Sequence, residues 1–571
     1  MFTPFGILGL ARFVSAVALV GSHPTPLATT TSALREQASP FAGSSVSFQF
    51  PPANMSATFP NPNFPDAEQV GFSGPTPTGD EAFSIATAPA IPVINDVAPI
   101  VRPDTFDHKG LNSSFSVVRN WGSISPYASA PPDSFGLPHA SPIIPDGCAL
   151  HQVHIVHRHG ARYPSADGGP GPEAFAAKVA STAGPGGAGF SASGPLQFLN
   201  TWTFKLGAEI LTPVGREELY SLGVNSRVRY GGLLKAFNEL PVWRTTSEAR
   251  MVDSALQFAA GFFGVQEYAT SYRQLIEIEE TGFNSTLAPF DQCPNANNAA
   301  SGLGVVMGLQ WAENFTLPAI ARLQPFLEGF NLTVLDIIGM QTACAYESVA
   351  LGYSSFCDLF TEDEWIAYEY FWALGFWYQV GPGAPATAAQ GIGYVQEFIS
   401  RLTQTPITTF DTSVNATIVS NNATFPLSQP IFVDATHDTV ISAIVVALNL
   451  TTLADSGPLP ADHIVEDRQW VVNKVVPFAA NLVAQVISCP ANDTPTHVRW
   501  ILNDAVVPLT GVQGCPEDKD GLCALETYIN GTKARIAEVD YQFDCFANYT
   551  VPSPDLIVDG RFPPALRNQT A

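Results

Sequence analysis

The chain has 571 residues, with 26 Lys and Arg against 51 Asp and Glu, a formal net charge of −25 and a sequence pI near 4.6. Nucleic-acid binding calls for a basic face, so this balance argues against that class, whereas abundant carboxylates suit a protein working in acid, where partial protonation relieves self-repulsion. An apolar content of 46% provides for a globular body, and the length exceeds what one core usually supports, so one large domain with an insertion, or two domains, is expected.

In chain order, residues 5–20 are apolar apart from Arg12 and Ser15, which reads as a signal peptide within residues 1–22, too short to span a bilayer. Residues 23–110 form a low-complexity extension rich in Pro, Ser, Thr and Ala, with no helical or strand period. Order is expected from near Ser114. The stretch HQVHIVHRHG reads as a buried strand that feeds a turn at Gly160. Its four histidines raise a copper or zinc site. A period of two, however, puts His151, His157 and His159 on one face and His154 on the other, so the four do not converge.

A glycine-rich loop around one short helix follows, then LTPVGREELYSLGVNSRVRYGGLL, where Thr212 is the expected N-cap, Pro213 lies in the first turn, and Leu219, Leu222 and Val228 make an apolar stripe. VWRTTSEARMVDSALQFAAGFFG reads as a strand, a turn at 245–249 and a helix from about Met251. Residues 266–404 are mostly helical in pattern, with their aromatics expected in the core. In IFVDATHDTVISAIVVALNL a short strand at 431–433 precedes a core helix from Thr439. Strand, polar turn and helix thus occur three times, the arrangement of an α/β sheet whose loops meet in one crevice. Those loops carry His159, Arg250, and His437 with Asp438.

A phosphomonoester carries up to two negative charges and spreads them over three oxygens as the phosphoryl group transfers. Arginine forks match such oxygens and stay charged at any working pH, a clamp that Arg158, Arg162 and Arg250 can supply. A neutral imidazole can attack phosphorus in line, and His159 between two arginines is the expected nucleophile. The departing alkoxide needs a proton, which Asp438 can give, while His437 binds phosphoryl oxygens as a cation. Each element also has a structural alternative. Arg250, for instance, can simply pair with Glu248 or Asp253 at a helix start.

Eight cysteines without a CxxC pair favour disulfides over zinc. Asn-x-Ser/Thr sequons at Asn54, Asn112, Asn284, Asn314, Asn331, Asn415, Asn422, Asn449, Asn492, Asn530, Asn548 and Asn568 add the mark of a secreted glycoprotein, extracellular and open to cell-wall association. No later segment reads as membrane-inserted, because the run at 441–450 is short and closely preceded by His437 and Asp438. The terminal RFPPALRNQTA has no lipid-anchor tail.

RHGARYP fits the RHGxRxP signature of the histidine acid phosphatases, and THD resembles that family's His-Asp signature. NWGSISPYAS, FLNTWTFKLGAEILTPVG and SEARMVDSALQFAAGFF are similar to segments of fungal-type secreted phytases and acid phosphatases, so the resemblance spans roughly residues 114–551. It implies a phosphoglycerate mutase-like α/β fold, with a mixed central sheet flanked by helices and a mainly helical cap. The implied domain covers residues 111–571, its core about 111–265 and 405–571 and its cap about 266–404. It further implies a phosphohistidine at His159, a phosphate pocket of Arg158, Arg162, Arg250 and His437, proton donation by Asp438, a small phosphomonoester as the partner, and neither metal nor cofactor. Disulfides Cys148–Cys489, Cys293–Cys545, Cys344–Cys357 and Cys515–Cys523 likewise come from the resemblance.

Fungal-type phytases tend to carry a lysine-rich stretch after RHGxRxP. Here SADGGPGPEAFAAK offers Lys178 alone, with Lys205, Arg216 and Lys109 as compensating candidates. An acid phosphomonoesterase whose range includes phytate is therefore weighed against a broad acid phosphatase with little phytase activity. THD argues against the inositol polyphosphate phosphatase branch, which typically has His-Ala-Glu. The acidic pI and disulfides argue against a mutase. From other classes, a noncatalytic secreted glycoprotein on this fold and a metal-binding secreted protein using His151, His154 and His157 remain as alternatives.

Overall fold

The computed structural model describes residues 115–165, 171–183, 187 and 189–569. The signal peptide, the whole of the low-complexity extension with Lys109, and the sequons at Asn54 and Asn112 lie outside these residues. Ten strands are present among them: β1 (Ala149–Arg158), β2 (Ser191–Ala192), β3 (Val242–Thr246), β4 (Arg273–Glu277), β5 (Leu327–Glu328), β6 (Ile431–Thr436), β7 (Asn481–Ser488), β8 (His497–Leu502), β9 (Ala505–Val507) and β10 (Cys523–Ala524). Eight of them build one mixed sheet in the order β10-β8-β7-β1-β6-β3-β4, with β9 on β8, while β2 pairs only with β5. On one side of the sheet, β1, β6, β3 and β4 run parallel. On the other, β7, β8, β9 and β10 are antiparallel.

Alternation along β1 fills both faces. Val153 and Ile155 join Leu219, Trp243, Phe258 and Phe262 in one core, and Val156 joins Phe398, Ile441, Leu482 and Trp500 in the other. Helices Pro213–Tyr230 and Ala249–Phe263 cover the first face. The second is covered by Thr387–Thr403, Asp438–Ala447 and Leu525–Glu538. A group of helices, Leu303–Leu323, Val334–Leu351 and Glu362–Val380, packs together, and Pro172–Ala183 lies against Val334–Leu351. Four disulfides staple the chain: Cys148–Cys489, Cys293–Cys545, Cys344–Cys357 and Cys515–Cys523. The architecture is the mixed sheet between helices that the resemblance implies.

Three local readings change. The Pro213–Tyr230 helix starts as expected, its Thr212 side chain capping Gly215 N at 3.1 Å, but Val228 is 80% exposed. The buried side runs instead through Gly215, Leu219, Gly223, Ser226 and Tyr230, because small residues let this helix press on Ala249–Phe263: a Cβ on Gly223 would lie 2.1 Å from Phe258 O. The helix after β3 begins at Ala249, two residues before the expected Met251. Arg273–Glu277, inside a stretch of mainly helical pattern, is the edge strand β4.

Candidate active site

The four parallel strands deliver their carboxyl ends to one edge of the sheet, where a crevice in such folds takes its ligand. Leaving β1, the chain is pinned from several sides. His159 N donates to Thr436 O at 3.2 Å and Ala479 N to His159 O at 2.9 Å, tying the turn to β6 and to the segment before β7. Ala161 N donates to Glu218 Oε2 at 2.7 Å, and Thr212 N to Ala161 O at 2.9 Å. Gly160 has no alternative residue, since a Cβ there would lie 2.1 Å from Gly215 O. The turn and the helix start at Gly215 therefore need glycine on both sides of their contact.

His159 is buried, and its Nδ1 sits 2.8 Å from Gly160 O. A carbonyl oxygen only accepts, so Nδ1 carries the proton and Nε2 keeps its lone pair. Burial, reinforced by Arg158, Arg250, Arg162 and His437, holds the His159 pKa well below the usual 6.5. The environment thus favours the neutral imidazole, with its lone pair on Nε2.

Arg158 is buried over the Phe478 ring, 4.7 Å from its centroid. Its Nη1 donates to Ser123 O and, at 2.8 Å, to Val476 O, and its Nη2 lies 2.8 Å from Asp438 Oδ2. Burial pulls its pKa down to about 10, still charged at any acidic or neutral pH. Arg162 donates to Tyr163 O at 2.8 Å and has no carboxylate partner among the described residues. Arg250 pairs with Glu248, and with Glu209 Oε2 at 2.8 Å. Burial opposes its charge, but Glu248 and Glu209 outweigh it and raise the pKa. The Nε–H groups of Arg158, Arg162 and Arg250 are all buried without an acceptor.

From β6, His437 is the N-cap residue and Asp438 the first residue of the next helix. His437 Nε2 lies 2.9 Å from Glu279 Oε1 and 4.0 Å from Glu248 Oε2. Burial works against its charge, yet Glu279 and Glu248 prevail and raise its pKa above 6.5. The same contact lowers the Glu279 carboxyl against the pull of burial. The rings of His159 and His437 meet edge-on with centroids 5.8 Å apart. Asp438 Oδ1 accepts from Thr439 N at 2.9 Å, and its side chain is 15% exposed, so the carboxyl both touches the arginine cluster and reaches solvent.

The six residues singled out in the sequence, His159, Asp438, Arg158, Arg162, Arg250 and His437, therefore meet at one sheet edge. The other histidines of β1 disperse. His151 bonds Ser488 Oγ at 2.9 Å, His154 stacks on Phe432, and His157 stacks on Phe258. Asp253 pairs with Arg216 at 2.8 Å, leaving Glu248 as the Arg250 partner of the two considered. Sequence reading overlooked Glu209, Glu279 and Glu218. The one local signal for Glu279 is the alternation of RQLIEIEE ending β4. By spacing alone Glu248, Glu279 and His437, with ligand atoms within 4.8 Å of one another, could bracket a cation. The set does not fit one well, because the Arg250 guanidinium pairs with Glu248 and a charged His437 takes Glu279.

Comparison with known proteins agrees with this geometry. The profile of the histidine phosphatase superfamily (branch 2) matches residues 149–503. Phytase A of Aspergillus awamori is 31% identical over 444 residues, covering 75% of this chain and 90% of the relative, and Phytase A of Aspergillus fumigatus is 32% identical over 443 residues, with the same coverage. The crystal structure of the phytase from D. castellii superposes with a TM-score of 0.62 at 25% identity, covering 76% of this chain and 88% of that one. With its profile match spanning the whole sheet edge just described, the chain belongs to the histidine phosphatase superfamily, branch 2, and is a phosphoric monoester hydrolase.

Proposed function

We propose that the protein is a secreted acid phosphatase that hydrolyses phosphate monoesters, inositol phosphates among them, through a phosphohistidine at His159. One observation carries the reading: a neutral imidazole whose Nε2 keeps its lone pair lies beside Arg158, Arg250, Arg162 and His437, a cluster of positive charge around an uncharged ring. Such a cluster complements the negative charge of phosphoryl oxygens. In the proposed first step Nε2 attacks phosphorus in line, the P–O ester bond breaks, and Asp438 gives its proton to the departing alkoxide. In the second, water attacks the phosphohistidine with Asp438 as base, restoring the imidazole and releasing phosphate. Arg158, Arg162, Arg250 and His437 hold the phosphoryl oxygens. The helices packed around Val334–Leu351 serve as the cap.

Secretion is supported by the four disulfides, which suit an extracellular protein, and by the exposed sequons at Asn314, Asn331, Asn492 and Asn548. Among the described residues no helix is long and apolar enough to cross a membrane. Phytate enters the substrate range through the Phytase A relatives. A second reading, a broad acid phosphatase with little phytase activity, is favoured by Lys178: it pairs with Asp336 and donates to Asn331 O at 2.7 Å, so it is engaged in holding a helix. Phosphate release at about pH 3 to 6 in EDTA, from p-nitrophenyl phosphate and phytate in parallel, tests both. Release that survives EDTA and is lost in His159→Ala is expected. Comparable rates on the two substrates support the first reading, a large excess on p-nitrophenyl phosphate supports the second, and release by His159→Ala at the wild-type rate overturns the phosphohistidine.

A further inference from the structure

Most buried tyrosines of this protein have a bonded hydroxyl: Tyr368 meets Thr342 at 2.8 Å, Tyr370 donates to Pro460 O at 2.8 Å, Tyr378 to Leu459 O at 2.7 Å and Tyr394 to Asp434 at 3.0 Å. Tyr346 does not. It is only 7% exposed, its hydroxyl has no hydrogen-bond partner among the described residues, and the oxygen is not one of the sealed polar atoms. A phenol in that state faces a space that admits a ligand or water.

Its position says which space. Tyr346 lies on the Val334–Leu351 helix, which packs against both the helix following the catalytic loop, Pro172–Ala183, and the helix carrying Glu218, Pro213–Tyr230. Its charged neighbours are Arg162, Arg158, Glu209 and Asp438, drawn from three different loops of the crevice. The helix is held at both ends. Lys178 grips Asp336 and Asn331 O at its start, while Trp202 Nε1 and Ser354 Oγ donate to Glu347 at 2.8 and 2.5 Å beside Tyr346 itself. The Cys344–Cys357 disulfide locks the same turn. Burial raises the phenol's pKa, so the group stays a donor throughout the acid and neutral range.

We infer that the Tyr346 hydroxyl binds the leaving group of the substrate, donating a hydrogen bond to an oxygen carried by the alcohol, and so favours monoesters of polyols over those of plain phenols. The inference rests on the phosphatase reading above, in which Asp438 marks the leaving-group side. A polyol or inositol ester presents hydroxyl or phosphate oxygens next to the ester carbon, for which a donor in the same crevice as Arg162, Arg158 and Asp438 is available. The ring of p-nitrophenyl phosphate presents none there. Tyr346→Phe removes one oxygen and keeps the ring, so it tests the hydroxyl alone.

The experiment compares kcat/KM of wild type and Tyr346→Phe on glycerol 2-phosphate and on p-nitrophenyl phosphate, with a thermal melt of each. A drop of about 3- to 10-fold on glycerol 2-phosphate, the scale of one neutral hydrogen bond, is expected, with less than about 2-fold on the aryl ester and an unchanged Tm. An equal drop on both esters, or none on glycerol 2-phosphate, overturns the assignment. Failure of the parent reading looks different: His159→Ala would then retain activity on both esters.

Discussion

Three parallel strands each contribute to two buried charge clusters, and the clusters differ in kind. β3 and the helix after it carry Arg244 and Arg250, β6 and its exit carry Asp434 and Asp438, and β4 and its exit carry Glu277 and Glu279. Within the sheet, Arg244 lies 2.6 Å from Asp434, 3.0 Å from Glu277 and 2.8 Å from Glu397, the last an ion pair not aligned as a hydrogen bond. Arg401 adds a contact of 2.5 Å to Asp434, Tyr394 donates to the same carboxylate, and Ser285 and Thr286 donate to Glu277 and Glu397. At the crevice, by contrast, Arg158, Arg162 and Arg250 surround a neutral His159, and Arg162 has no carboxylate partner among the described residues. The first cluster closes its charges on one another, while the second leaves positive charge around an uncharged ring.

Two substitutions pull the clusters apart. His159→Ala is expected to lower turnover by about 10³-fold or more while leaving the Tm nearly unchanged, since it removes the proposed nucleophile and no ion pair. Asp434→Ala strands Arg244 and Arg401 without their shared carboxylate, and a loss of about 3–5 kcal/mol is expected in a denaturant titration. The comparison breaks if His159→Ala unfolds as readily as Asp434→Ala, or if Asp434→Ala keeps wild-type stability.

Asp438→Asn sharpens the crevice side. The amide cannot donate a proton to the alkoxide, so a loss of about 10²-fold is expected on glycerol 2-phosphate. On p-nitrophenyl phosphate, whose leaving group departs without full protonation, the loss is smaller. Equal losses on the two esters, measured as kcat, would remove Asp438 from the proton-donor role.

What the chain made readable follows from range. Motif loops that bind a shared ligand carry their chemistry in consecutive residues, so RHGARYP and THD point to His159, Arg158, Arg162, His437 and Asp438 before any fold is known. The Arg244 cluster has no such mark, because its partners are separated by tens to more than a hundred residues and meet only when β3, β4 and β6 align. β4 is five residues long and leads into helical patterns, so the period around it hides it. Val228 was placed in the core by an apolar-stripe rule, where the contact with Ala249–Phe263 is built on Gly223 and Ser226 instead. Tyr346 carries an aromatic signature that helical packing explains equally well. What sets it apart is an unbonded hydroxyl that is not sealed, with the charges of Arg162 and Arg158 acting on it.

The smallest expected effect is in the pH dependence of stability, and it bears on why the crevice tolerates so many acids. Burial pushes Glu218 up to about 7, even though Tyr127 N and Ala161 N donate to it, and it pushes Asp291 and Asp544 up to about 7 as well. A raised carboxyl keeps its proton in the folded state after the unfolded chain has lost its own. The folded state therefore binds more protons between the ordinary value near 4 and about 7, and stability falls as pH rises through that window. His437 has the same sign: its raised pKa contributes below 6.5 and is lost as pH climbs past the folded value. Glu279 and Asp434, both lowered, have the opposite sign and lose their contribution as pH falls below their ordinary values of 4.5 and 3.8. Buried His154, His157 and His159, all lowered, share that opposite sign and lose their contribution as pH falls below 6.5, which offsets the raised carboxyls in acid. The Tm is accordingly expected to decline from about pH 6.5 to 8, where the raised groups still titrate in the folded state, and thermal melts that show a rise over that range would contradict it. Glu218→Gln isolates one contributor. The amide cannot titrate, so between about pH 4.5 and 7 the variant's stability should lose the downward share of one proton relative to wild type, while the same substitution at exposed Glu217, also raised by burial but without the value near 7 of Glu218, changes the slope less.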